Sequence, residues 1–341
     1  MNLRDPKYKD FALVQEMLET PEIIRHFDFG QATETAEAIR KAGRLLLTGE
    51  GSSRIFPAKN LITTLLQKGI DLAVFTEGAR EAHDYNLADF AVLAASNSGQ
   101  TKEVISLFTQ LGTHGHRKRF GLTANAKTRL ETVSDRCYTL TCGKEQAVAA
   151  TKSVVEQALF YRALLGPWDN SSQVLLQHRD EAGRKAREVL EAEPDPEIVR
   201  RIARAPVIYF AGRNNGVAEE LTLKTNEITR KKSDFLEGTY AVHGIEEVMH
   251  PGEVVIVIDP FPAEIEKFKE VLSAGVGMAV VAVAARPTVF PTIVVPRLDG
   301  YDTVLQLLAG WNILVHVGVA SGINLDKPQR ARKVGNEFVA L

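Results

Sequence analysis

Cysteine is nearly missing from this chain: among 341 residues there are two, Cys137 and Cys142, five apart rather than in a Cys-x-x-Cys pair. That pattern reads as reduced thiols of a cytoplasmic protein. An excess of charge of either sign is missing too, with 41 basic against 43 acidic residues and a formal net charge of -2. This leaves no basic footprint for nucleic acid or for an anionic membrane. The start carries Arg4, Asp5, Lys7, Lys9, Asp10 and Glu16, which excludes an apolar secretory leader. The late apolar run Leu307 to Ile323 contains Asn312, His316 and Ser321 and has no basic flank before it, so a buried helix is expected rather than a membrane span. A dinucleotide fingerprint is missing as well. Gly49-Glu50-Gly51 has no third glycine at the required spacing, and the acidic residue wanted after the next strand has only poor candidates such as Glu77.

With 45% hydrophobic and 25% charged residues, the chain is long enough for two domains with separate cores. The stretch that organises it is Phe90 to Glu103. Phe90–Ala95 is apolar without alternation and too short for a helix, so it reads as a strand buried on both faces of a parallel sheet. Val104, Ile105, Leu107, Phe108 and Leu111 then recur at helical spacing, and Gly112 is expected to end the helix. Ser96 to Thr101 therefore lies between the carboxyl end of a strand and the amino end of a helix, where free N–H groups attract anions. Ser, Asn and Gly are also ordinary turn and N-cap residues. A cap needs one hydroxyl, and this loop offers three.

The chain reads as one design used twice. Strands are expected at Arg44–Thr48, Leu72–Thr76, Phe90–Ala95, Arg119–Leu122 and Cys137–Leu140, and again at Val207–Ala211, Ser233–Leu236, Glu253–Asp259, Met278–Ala284 and Thr292–Pro296. Glu253, Met278 and Thr292 follow Phe90, Arg119 and Cys137 by 163, 159 and 155 residues, an offset steady enough to suggest duplication into two helix-covered parallel sheets. Between them, Val174, Leu175, Ala182, Ala186, Val189 and Leu190 mark an amphipathic helix. In the second half, Asp259-Pro260-Phe261-Pro262-Ala263-Glu264 stands where the first has Ser96 to Thr101. Its carboxylates would repel a phosphate and its prolines lack N–H donors, so one phosphate site per chain is expected. Two further polar clusters stand out: Gly51-Ser52-Ser53 after the first strand, and Cys142 to Ser153 opening a long helix. Ser52 and Ser53 are expected to face the Ser96–Thr101 loop, because strands one and three of such a sheet are neighbours. Lys224 and Glu227, three apart on a helix expected over Val217 to Lys231, would by periodicity alone be a surface ion pair. His243, Glu247 and His250 would share a helix face at i, i+4 and i+7, but Gly244 and Pro251 make this a poor helix, and no metal is assigned.

Ser96, Ser98, Gly99, Thr101 and Glu103 fit Ser-x-Ser-Gly-x-Thr-x-Glu, which resembles the phosphate loop of the sugar isomerase (SIS) domain family. Beyond its N-terminal extension, the whole chain resembles the isomerase half of glucosamine-6-phosphate synthase and related double-SIS isomerases, deaminases and deglycases. The resemblance implies an α/β fold of two tandem SIS domains, each a five-stranded parallel sheet flanked by helices in a flavodoxin-like three-layer sandwich. The boundaries expected are a helical extension at 1–20, SIS domains at 21–168 and 197–325, a helical linker at 169–196, and an active-site tail at 326–341.

The family's Cys-Gly-Thr-Ser corresponds to Glu50-Gly51-Ser52-Ser53, its Ser-Gln-Ser-Gly-Glu-Thr to Ser96 through Thr101, and its Val-Ala-Ser-Thr-Lys to Val148 through Lys152, with Ala150 replacing the serine. This implies phosphate contacts from Ser53, Ser96, Asn97, Ser98 and Thr101, and sugar contacts from Ser52, Val148, Ala150 and Thr151. Leu223-Lys224-Thr225-Asn226-Glu227 matches a segment in which the lysine orients the sugar and the glutamate moves the proton. His243, sixteen residues on, matches the ring-opening histidine that family members donate to a neighbouring subunit, which implies a homodimer. Asp326 to Lys333 resembles the tail whose lysine, here Lys333, closes over the sugar; from Val334 the likeness fades. No cofactor is implied. The synthase also carries a glutaminase domain with a cysteine after Met1, whereas residue 2 here is Asn. The expectation is therefore a cytosolic aminosugar-phosphate deaminase or aldose–ketose isomerase acting on a hexosamine 6-phosphate such as glucosamine 6-phosphate. A phosphorylated fructosyl-amino-acid deglycase and a non-catalytic sugar-phosphate sensor are the alternatives.

Overall fold

The protein is described here from a computed structural model. It describes residues 1–169, 171–333 and 335–338. The first sheet consists of β1 (Arg44–Gly49), β2 (Ala73–Gly78), β3 (Ala91–Ala95), β4 (Arg119–Thr123) and β5 (Arg136–Thr139), in the spatial order β2-β1-β3-β4-β5. The second consists of β6 (Val207–Gly212), β7 (Lys232–Glu237), β8 (Val254–Ile258), β9 (Ala279–Ala284) and β10 (Thr292–Val294), in the order β10-β9-β8-β6-β7. Numbered within each sheet, both orders are 2-1-3-4-5, and every pairing is parallel. The duplication inferred from strand spacing is thus present in the topology. β3 and β8, AVLAA and VVIVI, are buried at every position because helices cover both faces of a parallel sheet.

The chain groups into two compact units, and the grouping is not linear. One unit comprises Met1–Pro21, Ala147–Ala149 and Glu181–Gln329; the other comprises Glu22–Gln146, Ala150–Asp180 and Arg330–Leu341. The expected partition into consecutive segments is corrected accordingly, and hydrogen bonds give the reason. The Met1 amino group donates to the Leu190 carbonyl at 2.8 Å, and the N–H groups of Ala12 and Leu13 donate to the Asp326 carboxylate at 2.8 and 2.9 Å, which ties the extension to the second-sheet unit. The tail rejoins the first-sheet unit: Thr101 and Glu337 form an antiparallel bridge, Lys102 donates to Asn336, and Phe338 donates to Gln100 at 2.9 Å. Val334, the point where the family likeness fades, and the last three residues of the expected tail lie outside the described residues, as does Asn170 of the linker.

In the first-sheet unit, Leu46, Val92, Ala94, Ile105, Phe108 and Leu130 belong to one core cluster. The helix Lys102–Thr113 runs through Gly112 rather than stopping there. That glycine leaves room for the Arg119 guanidinium, which pairs with Asp135 at 2.8 Å and donates to the Phe108 carbonyl at 3.1 Å. The left-handed turn comes at Gly115, with φ 78°. In the second-sheet unit, Tyr209, Val255, Val257, Leu272 and Phe290 cluster on one side of the sheet. The apolar helix Asp302–Ala320 packs against Val217–Thr229 and Pro196–Arg204. Its most apolar window is 83% buried, so its hydrophobicity is that of a core helix. The helix expected to reach Lys231 ends at Thr229, where Arg230 turns left-handed at φ 58°.

Candidate active site

β1 and β3 are neighbours, and Thr48 stands level with Ala94. Connections that leave adjacent parallel strands toward opposite sides of a sheet open a crevice at their carboxyl ends. A side chain on Gly49 would come within 2.6 Å of the Ala95 carbonyl and 3.2 Å of the Ser53 Cβ. Glycine there lets the two strand ends approach and brings Ser53 beside the turn that follows β3. Ser52 is buried next to it in a single helical turn, Gly51–Ser53.

The turn itself is tightly built. Ser96 still belongs to the sheet, donating its N–H to the Leu122 carbonyl at 2.9 Å, while its hydroxyl meets that of Thr101 at 2.8 Å. Ser98 Oγ accepts from the Gln100 N–H at 3.1 Å. Gly99 sits at φ 64° with its α-carbon against the Thr128 side chain, so it serves both a left-handed turn and a close approach. Thr101 opens the helix Lys102–Thr113 but makes no side-chain cap. Its hydroxyl meets that of Ser96 instead. Together these features place hydroxyls where the first turn of a helix leaves N–H groups without intrahelical partners.

Beneath the loop lies a carboxylate that sequence reasoning missed. Glu145 is 1% exposed. Its Oε2 accepts from Asn97 Nδ2 and Ser153 Oγ, both at 2.7 Å, and its Oε1 accepts from the Thr151 N–H at 2.8 Å. Lys333 Nζ reaches the same group at 3.5 Å. Burial pushes the Glu145 carboxyl up, but the Lys333 ammonium and the bonds from Thr151 and Ser153 outweigh it and hold the group below its ordinary 4.5. One buried anion therefore organises Asn97 of the Ser96–Thr101 loop, Thr151 of the Cys142–Ser153 cluster, and the tail residue Lys333. The available signal was its position, three residues before Val148, inside a cluster otherwise read only for its hydroxyls. Ala150 and Thr151 share this unit; Val148 belongs to the other. Glu50, where the family has cysteine, accepts the Ala79 N–H at 3.0 Å, and burial raises its carboxyl despite that bond.

The acid–base candidates are carried by the second-sheet unit. Lys224 is fully buried, not on the surface, and its Nζ lies 2.6 Å from Glu227 Oε2 and 3.3 Å from Glu220 Oε1. Burial alone would lower its affinity for a proton; Glu227 and Glu220 reverse that and hold the ammonium above its ordinary 10.5. Glu227 keeps a quarter of its side chain accessible, so this partly exposed carboxylate is held by a buried cation. His243 is exposed, with its ring 3.1 Å from the Thr239 hydroxyl; it makes no hydrogen bond to Glu227 among the described residues. At the position in the second sheet equivalent to the Ser96–Thr101 loop, Asp259 is bound by Arg213 at 2.8 Å, and the Arg213 guanidinium lies 4.2 Å over the Phe261 ring. The second copy thus carries an ion pair where the first carries hydroxyls. Among the described residues no cluster of His, Cys, Asp and Glu has the arrangement of a metal site.

No family model matches the chain, and no curated protein matches it. Solved structures do. A proposed phosphosugar isomerase from Silicibacter pomeroyi superposes with a TM-score of 0.77 at 22% identity, covering 93% of this chain and 100% of that one. The C-terminal domain of glucosamine-fructose-6-phosphate aminotransferase from Francisella tularensis gives 0.73 at 17% identity, over 94% and 98%. Glucosamine-6-phosphate deaminase from Thermotoga maritima gives 0.69 at 19% identity, over 95% and 99%. The chain has the tandem parallel-sheet fold of the SIS phosphosugar proteins. At these identities the likeness defines the fold; activity is a matter for the side chains.

Proposed function

We propose that this protein is a sugar-phosphate isomerase acting on a hexosamine 6-phosphate such as glucosamine 6-phosphate, with release of the amine as ammonia. The observation that carries this reading is the hydroxyl-lined loop Ser96–Thr101 at the mouth of the first sheet, underpinned by a buried carboxylate that also holds a tail lysine. Ser53, Ser96, Asn97, Ser98 and Thr101 would bind the phosphate dianion, each bond to the charged group contributing about 1.5–3 kcal/mol. Ser52, Val148, Ala150 and Thr151 would line the sugar.

In the proposed chemistry, His243 assists ring opening and Glu227 removes the proton from C2 and returns it to C1. The imine left at C2 is hydrolysed by water to the ketose phosphate and ammonia. Lys224 orients the Glu227 carboxylate, and Lys333 closes on the sugar from the tail. General acid–base assistance of this kind contributes roughly 10²–10⁴-fold per group. His243 would serve the neighbouring subunit of a homodimer. The three named structural relatives are consistent in being a proposed phosphosugar isomerase, an aminotransferase domain and a deaminase of sugar phosphates.

The test is Glu227→Gln, assayed by ammonia release and ketose phosphate formation alongside sugar-phosphate binding. Retained binding with turnover reduced at least a hundredfold is expected. Unchanged turnover would remove Glu227 from the chemistry, and turnover absent from the unaltered protein together with intact binding would favour a sugar-phosphate sensor.

A further inference from the structure

The second-sheet unit contains a cleft of about 710 Å³ that the proposed chemistry does not use. Its walls come from four places in the sequence: Lys7 and Tyr8 of the N-terminal segment, Glu193 to Arg204, Lys231, and the end of the helix Asp302–Ala320 at His316 to Ser321. The volume lies in the range of small-molecule sites, roughly 300–1,000 Å³. In a chain with almost equal numbers of acids and bases, the charge here is one-sided. Lys7, Arg200, Arg204 and Lys231 face it against a single carboxylate, Glu193.

Two of these cations can be traced to structural duties. Arg200 pairs with Glu197 and Lys7 with Asp5. Arg204 and Lys231 have no carboxylate partner among the described residues. Lys231 donates to the Ala205 carbonyl at 2.9 Å, and burial lowers its affinity for a proton with nothing anionic to offset it. A half-buried ammonium without a counterion is stabilised by an incoming anion. Apart from Ser321, the remaining wall, with Pro194, Pro196, Val199, Val319 and Ala320, is apolar. The Tyr8 hydroxyl and His316 ring, 3.1 Å apart, add a polar pair.

We infer that this cleft is a second binding site, distinct from the Ser96–Thr101 loop, for a small phosphate monoester. The phosphate meets Arg204 and Lys231, and the apolar part of the ester lies along Pro194, Pro196, Val199 and Val319.

Phenyl phosphate carries both features and is the probe. Lysine acylation by an N-hydroxysuccinimide ester, mapped by mass spectrometry at constant ionic strength, reads occupancy at Lys231. Phenyl phosphate is expected to protect Lys231 at millimolar concentration, and inorganic phosphate to protect it less. Arg204→Glu, an exposed substitution, is expected to raise the concentration needed at least tenfold. Absence of protection, or protection unaffected by Arg204→Glu, would overturn the site. Equal protection by inorganic phosphate would overturn the role given to the apolar wall. Because Arg204 lies outside the loop built on Ser96–Thr101, failure here leaves the proposed isomerase chemistry untouched.

Discussion

Replacing Glu145 with Gln tests whether one buried carboxylate holds the Ser96–Thr101 loop and the tail residue Lys333 together. The side chain keeps its shape but loses its charge, and three short hydrogen bonds, from Asn97, Ser153 and Thr151, change from charged to neutral acceptors. A hydrogen bond to a charged group contributes about 1.5–3 kcal/mol against about 0.5–1.5 for a neutral one, so the three together lose about 3 kcal/mol. The Thr151 N–H is a fixed donor, so the amide nitrogen must take the Oε2 position, where Asn97 and Ser153 have to turn to accept from it. Lys333, at 3.5 Å and 26% exposed, adds at most about 1 kcal/mol.

The sign of the pH dependence follows from the direction of the shift. The folded-state carboxyl lies below its ordinary 4.5, so its contribution is complete above that pH and is lost as pH falls through the depressed value. Urea unfolding of wild type and Glu145→Gln should therefore differ by about 3 kcal/mol at pH 7, with the gap closing in acid. The transition followed should be that of the first-sheet unit, since two units need not unfold together. Equal stability at pH 7, or a gap that does not narrow as pH falls below 4.5, would refute the assignment of a buried, ionised anchor.

Other substitutions probe separate links. Lys224→Met leaves Glu220 buried with its cation gone, so the second-sheet unit should lose about 3–5 kcal/mol in urea unfolding, with part recovered by adding Glu220→Gln. Gly99→Ala forces a side chain into φ 64° and against Thr128, and should cost about 1–3 kcal/mol in stability while weakening sugar-phosphate binding by calorimetry. Burial, helped by Glu131, pushes the Cys137 thiol up to about 12, and burial with Glu156 pushes that of Cys142 higher still. Both should resist iodoacetamide at neutral pH in the folded protein and label readily in urea.

The central strands β3 and β8 were legible because each is a short apolar run. The shared strand order was legible because duplication keeps spacing: two sheets with matching starts needed only one topology. Ser96 to Thr101 could be placed between a strand and a helix for the same reason. What stayed hidden depended on contacts across long sequence distances. Glu145 reads as one acidic residue in a polar cluster until Asn97, 48 residues before it, and Lys333, 188 residues after it, are brought to it. Spacing on one helix could pair Lys224 with Glu227 but could not reveal that both Lys224 and Glu220 are fully buried. Gly112 carried a stop signal that packing overrode, because the space it leaves is taken by Arg119 from the next strand. The interleaving of the two units rests on terminal segments whose bonding partners lie far away in sequence, and no local pattern records that.

Calorimetric titration of the protein with glucosamine 6-phosphate and, separately, with glucosamine tests most directly whether the loop after β3 grips a phosphate ester. Saturable binding of the phosphorylated sugar, abolished or weakened at least tenfold by Ser98→Ala combined with Thr101→Val, with no detectable binding of glucosamine, is the expected result. Comparable affinity for the two sugars, or binding of the phosphate ester that survives loss of both hydroxyls, would contradict it.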